Sequence, residues 1–251
     1  MEEQKFSDIE NSIRQHGYCA VIEVCNGISN RALDNKVNEV NQARKFIRKL
    51  TGLPQVEAGI IFCREKKLSE KNIRKAELEF LCQIPKYEAG YAIGALWKTH
   101  EASVYDTDKQ IALNLIQSVR DGTHLQDILY PEASRWQEFT SKFPQLAQSH
   151  SHQDYMNAIG NLKGTFMQKY AARICKKAIP NAQIFETICY GEHATKIGLR
   201  PSTEIINGVQ RSHSGRGEID IIIAGKREDV LGGLSNPKYF SAIKLPETAL
   251  R

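Results

Sequence analysis

The sequence predicts an α/β protein: a mixed central sheet flanked by helices and interrupted by a helical insertion. Three observations across its 251 residues carry that expectation. A β-branched run, a long amphipathic segment and a second β-rich run follow one another near the N-terminus. The segment 218–224 (E-I-D-I-I-I-A) is the clearest strand in the chain. Between them, residues 64–159 lack comparable β runs and show helical spacing instead. The expected organisation is therefore 1–63 as a strand-helix-strand part of the core, 64–159 as a helical subdomain, and 160–251 as a helix-strand-strand core.

Residues 19–24 (C-A-V-I-E-V), closed by Asn26-Gly27, read as a strand with Glu23 near its end. In the segment that follows, Leu33, Val37, Val40, Ile47 and Leu50 recur at helical intervals, while Asn35, Asn38, Asn41 and Arg48 fall on other faces. Ser29 or Asn30 can cap that helix, and Gly52 with Pro54 ends it. Residues 58–63 (A-G-I-I-F-C) read as a buried strand, and a crossover of this length implies that the two strands are parallel neighbours. In the middle, Ile111, Leu115, Ile116 and Val119 after Asp108 mark a helix. Residues 90–97 are ambiguous: two glycines weaken the helical pattern, and the hydrophobic content says only that the segment is buried. Trp97 and Trp136 are expected in the core.

From Gly160, Leu162, Phe166, Tyr170 and Ile174 form an apolar stripe at spacing four, and Pro180 stops the helix. Residues 182–190 read as a strand and 191–217 as a polar segment. After 218–224 comes a turn-rich link, 226–237. Residues 239–245 (Y-F-S-A-I-K-L) are expected to be the next strand and the hairpin partner of 218–224.

Composition narrows the function classes. A hydrophobic content of 41% can supply a core. No stretch approaches the roughly 18 apolar residues of a membrane span, and the acidic N-terminus is unlike a signal peptide, so the expectation is a cytoplasmic protein without a membrane partner. The six cysteines include no C-x-x-C pair and read as packing residues. No P-loop, dinucleotide-binding, nucleophile-elbow or EF-hand pattern is present. A net charge of +5 permits nucleic-acid binding. Residues 161–183 hold no acid but contain Lys163, Lys169, Arg173, Lys176 and Lys177. Lys163, Lys169 and Arg173, with Arg211 and Arg216 of the polar segment, are the candidate nucleic-acid contacts.

Glu218 and Asp220, at i and i+2 on a strand, should share a face, opposite Ile219, Ile221 and Ile223. Two carboxylates on an apolar strand are costly to bury unless they meet a cation. Mg²⁺ suits them, since it binds one or two carboxylates together with water and phosphate oxygens. Asp220 and Glu218 are therefore the candidate metal ligands. Lys244, on the expected partner strand, is the candidate for orienting water or stabilising charge at phosphorus.

A helix at 160–178, a strand with Asp220, and Ala242-Ile243-Lys244 thus occur in sequence. This order resembles the PD-(D/E)XK nuclease superfamily, the fold of many type II restriction endonucleases, over residues 160–246. The resemblance implies a restriction-endonuclease-like core. It also implies a Mg²⁺-dependent endonuclease acting on double-stranded DNA as a homodimer, with Asp220, Glu218 and Lys244 catalytic. Two features depart from the pattern. Ala242 stands where the family has an acidic residue, so an acid from elsewhere, an engineered inactive variant and a natural loss of catalysis are all open. The N-terminal strand-helix-strand unit also looks like what normally follows the lysine strand. A permuted core would explain that, with the first 63 residues completing the sheet and Glu23 projecting near Asp220. Alternatively, Glu23-Val24-Cys25 is itself a degenerate E-x-K with cysteine at the lysine position. Competing classes are a non-catalytic nucleic-acid-binding protein and, from residues 212–220, a nucleotidyltransferase.

Overall fold

The computed structural model describes residues 2–25, 30–63, 78–84, 87–146, 151–197, 199, 203–206, 209–212 and 217–243. The chain divides into two compact units, one of Met1–Pro85 with Cys175–Arg251 and one of Lys86–Ile174.

The first unit is built on a mixed, open sheet flanked by helices. Helix α1 (Glu2–His16) leads into β1 (Cys19–Cys25), α2 (Asn30–Thr51), β2 (Glu57–Phe62) and β3 (Phe80–Gln83). β1, β2 and β3 run parallel, with Val21 opposite Ala58 and Ile61 opposite Cys82. Gly59 is required in β2 because the Phe80 ring lies where its Cβ would stand, 1.9 Å away. The α2 crossover behaves as its periodicity predicts. Leu33, Val40 and Ile47 are buried and Val37 and Leu50 half-buried against the same core, Asn35, Asn38 and Arg48 are exposed with Asn41 half-buried, and Gly52 closes the helix at φ +72°. α1 contributes Phe6, Ile9 and Ile13 to the same apolar cluster, so α1 and α2 cover one face of the sheet.

In the second unit, α3 (Ala89–Ala102), α4 (Asp106–Arg120), α5 (Leu125–Leu129), α6 (Trp136–Lys142) and α7 (His152–Ala158) precede α8 (Gly160–Ala178), which crosses the unit boundary. The ambiguous segment 90–97 is thus helical. Gly94 is tolerated because the Arg173 guanidinium packs over it, with Cζ 2.6 Å from where a Cβ would sit. Trp97 departs from the core placement expected of it, being 37% exposed. Leu162, Phe166, Tyr170 and Ile174 are all buried, as their spacing predicts.

The remaining chain returns to the sheet as β4 (Gln183–Cys189), α9 (Gly191–Lys196), the hairpin β5 (Thr203–Ile206) and β6 (Val209–Ser212), β7 (Glu218–Ala224), α10 (Arg227–Leu234) and β8 (Ser241–Ala242). The sheet order is β4-β7-β1-β2-β3-β8. β7 lies between β4 and β1 and is antiparallel to both.

This arrangement corrects three expectations. β7 does not form a hairpin with 239–245: β8 is only two residues long and pairs with β3, Cys82 opposite Ala242. At about 4.8 Å per strand, β8 lies four steps, about 19 Å, from β7. The reason is burial: Ile219, Ile221, Ile222 and Ile223 are all 0% exposed, so β7 needs a strand on each side and cover on both faces. The link expected to be turn-rich contains α10 instead, with Gly233 against Ile179. The sheet also extends into the stretch expected to be helical, through β3.

Candidate active site

The β1–β7 register of Ala20 opposite Ile223 and Ile22 opposite Ile221 carries Glu23 to Asp220 one step further along. There the ladder is replaced by a side chain. Asp220 Oδ2 accepts the Val24 backbone N–H at 2.7 Å. β1 then continues against β2 alone, and β7 against β4. On its other side Asp220 faces Thr187 of β4, between the registered pairs Glu186–Ile221 and Ile188–Ile219. Thr187 is the single non-glycine residue at positive φ (+51°) among the described residues, a conformation that a β-branched side chain adopts at a cost. Lys5 Nζ donates to its carbonyl at 3.1 Å.

Glu23 and Asp220 are 1% and 3% exposed. From α2, Lys36 Nζ donates to Glu23 Oε2 at 2.8 Å and lies 3.7 Å from Asp220 Oδ2. Its third carboxylate, Glu39 Oε2, is 2.7 Å away. Burial, reinforced by the negative charge of Asp220, holds the Glu23 carboxyl well above its usual value. Asp220 is close enough to accept a hydrogen bond from protonated Glu23. Glu23 Oε1 is buried and meets no donor. Burial works to lower the Lys36 ammonium, but Asp220 and Glu23 outweigh it and keep the group protonated. Tyr190 stacks on Phe46 at 4.5 Å, and burial, with Glu23 and Glu39 nearby, pushes its hydroxyl up to about 12. Its ring fills the space beside Gly217, where a Cβ would stand 2.5 Å from Cζ.

The fit to a cation can be judged from these atoms. One ammonium sits among two buried carboxylates, and one carboxylate oxygen lacks a donor. Two carboxylates and an unsatisfied oxygen suit Mg²⁺, which completes its shell with water and phosphate oxygens. Among the described residues, no group of three or more His, Cys, Asp or Glu side chains is placed to hold a metal ion.

The other candidates fall differently. Glu218 is half-buried and in register with Cys189, while Glu23 of β1 is the carboxylate brought opposite Asp220 across the strands. Lys244 and Arg216 lie outside the described residues, and Arg211 is on β6, its side chain likewise outside them. The strand leading to Lys244 is at the far edge of the sheet, so Ala242 is not the position from which an acid is missing beside Asp220. Lys163 is not a free surface cation. It is 7% exposed, its Nζ lies over the Tyr130 ring at 4.5 Å, and it donates to Leu129 O at 3.4 Å. Lys169 is half-buried, Arg173 lies over Gly94, and Lys176 pairs with Glu186 at 2.5 Å. Lys36 and Glu39 were missed: nothing in the α2 periodicity separates them from other polar helix positions. The one available signal was Cys25 at the lysine position of E-x-K, which directs attention to a lysine on the next element.

None of the six cysteines forms a disulfide; Cys189 is exposed and the other five are buried. None of the described helices is long and apolar enough to cross a membrane. Compared with protein-family models, curated proteins and solved structures, the chain matches none.

Proposed function

We propose that the chain is a Mg²⁺-dependent endodeoxyribonuclease of the PD-(D/E)XK kind, with a permuted chain order, whose metal-binding carboxylates are Asp220 and Glu23. The observation that carries this is the buried Glu23–Asp220 pair at the point where the β1–β7 ladder ends, with no donor facing Glu23 Oε1. Two buried carboxylates that share one ammonium carry excess negative charge, which a proton on Glu23 or a bound cation offsets.

The chain order supports the same reading. Taken from α8, the elements α8, β4, β7, β1, α2 and β2 place the Asp220 strand beside the E-x-C strand, with the crossover helix following. The first 63 residues then supply what the C-terminal part lacks. Lys36 reaches the carboxylates from α2 and takes the place of the lysine absent at Cys25.

In phosphodiester hydrolysis a water attacks phosphorus while the bond to the leaving oxygen breaks. A bound divalent cation supplies Lewis acidity and a more acidic water. Asp220, fixed by the Val24 amide, and Glu23 hold the cation's position. The Lys36 ammonium stabilises charge developing on the non-bridging phosphoryl oxygens. Double-stranded DNA as substrate, and action as a homodimer, follow from the restriction-type resemblance.

The test is cleavage of supercoiled plasmid by the full chain in Mg²⁺ or Mn²⁺ against EDTA, with Asp220→Asn and Glu23→Gln alongside. Cleavage that needs the metal and is lost in both variants supports the proposal; cleavage unchanged by Asp220→Asn removes it. A second reading, a non-catalytic nucleic-acid-binding protein, is favoured by the internal neutralisation that Lys36 already provides. DNA binding without cleavage in either metal would select it.

A further inference from the structure

We infer that Glu39 is a positioning residue that sets how tightly the Glu23–Asp220 pair takes a divalent cation, acting through Lys36; this rests on the proposal that the pair is a nuclease metal site. Lys36 Nζ lies 2.8 Å from Glu23, 3.7 Å from Asp220 and 2.7 Å from Glu39. One ammonium thus serves three carboxylates that differ sharply in burial. The Glu23 and Asp220 side chains are 2% and 3% exposed, whereas that of Glu39 is 50% exposed.

An ammonium in contact with the buried pair repels any second cation entering there. Lysine carries its charge on a flexible four-carbon stem, so the charge can shift between partners without movement of the helix. Glu39, three residues along α2 and facing solvent, gives Lys36 a partner outside the pair. Cation entry therefore moves Lys36 toward Glu39. Without Glu39 the ammonium has only the buried carboxylates to bond and competes harder with the metal. Glu39 also attracts a cation directly through its field, but that contribution does not pass through Lys36 and is screened over about 8 Å at physiological salt.

The experiment is calorimetric Mn²⁺ binding to the full chain, with no substrate present. Glu39→Gln is expected to weaken binding by about fivefold to tenfold, the size of coupling between groups in contact. Lys36→Gln is expected to tighten binding, and adding Glu39→Gln to it should then leave only a small loss that disappears in salt. An equal loss in both backgrounds overturns the inference while leaving the metal site standing. If Lys36→Gln does not fold, salt decides: a Glu39→Gln effect that persists near about 0.5 M salt supports contact through Lys36, and one that vanishes is a screened field and overturns it. Wild-type protein that binds no Mn²⁺ removes the metal-site proposal itself, and the inference with it.

Discussion

Asp220 reaches across from β7 to accept the Val24 amide of β1 at 2.7 Å, joining residues 196 positions apart in sequence. One carboxylate thereby does two things: it completes the backbone hydrogen bonding where two strands separate, and it is held in place beside Glu23.

That double role separates two substitutions. Asp220→Asn keeps an acceptor for the Val24 amide, whereas Asp220→Ala leaves a buried N–H unpaired. Urea denaturation in EDTA should find the alanine variant less stable than the asparagine variant by about 1–3 kcal/mol. Both should lose metal-dependent plasmid cleavage by about 100-fold or more. Equal stabilities would contradict the hydrogen bond to Val24.

Glu23 makes stability depend on pH in a direction opposite to an ordinary paired carboxylate. Its folded value is raised above 4.5 by burial and by Asp220, so the native state holds a proton that the unfolded chain has released. Its contribution is fully present below about 4.5 and is lost as pH rises through the folded value. Glu23→Gln mimics the protonated form. In EDTA at neutral pH it should raise Tm and flatten the fall in stability above pH 4.5. A lower Tm for the variant at neutral pH would show that charged Glu23 is stabilising.

Thr187 stores strain opposite Asp220. Its φ of +51° suits glycine far better than a β-branched residue. Thr187→Gly should therefore stabilise the fold by about 1 kcal/mol, strain relief outweighing the entropy glycine gains when unfolded. Denaturant midpoints measure this directly; a clearly destabilised variant would mean that the threonine side chain contributes contacts worth more than the strain.

Lys163 should be silent in nucleic-acid binding. Its amine is covered by Tyr130 and the Leu129 carbonyl, so it has no phosphate to neutralise. The salt dependence of DNA binding should be the same for Lys163→Met as for the native chain, while stability should fall with the loss of the Leu129 bond. A salt slope reduced by about one would return Lys163 to the interface.

Much of the element inventory was legible in the sequence because it depends on local chemistry. The β-branched runs gave β1, β2, β4 and β7 within a residue or two, and Gly52 and Pro180 marked the ends of α2 and α8. The apolar stripe of α8 was equally local. Where two local signals competed, reading failed: two glycines obscured α3, one of them accommodating Arg173, and Gly232-Gly233 hid α10.

Strand order was not local. In β7 every isoleucine is buried, so no alternation of apolar and polar residues marks which neighbour lies on which side. Adjacency in sequence then pointed to 239–245, while burial on both faces required β1 and β4. The candidate site followed the same division. The sequence alone determined that Asp220 is a carboxylate on a strand and that Glu23 lies near the end of another. Only the tertiary structure decided that they meet and that Lys36 joins them from α2, because the antiparallel pairing of β1 with β7 brings together positions nearly two hundred residues apart that no local pattern connects.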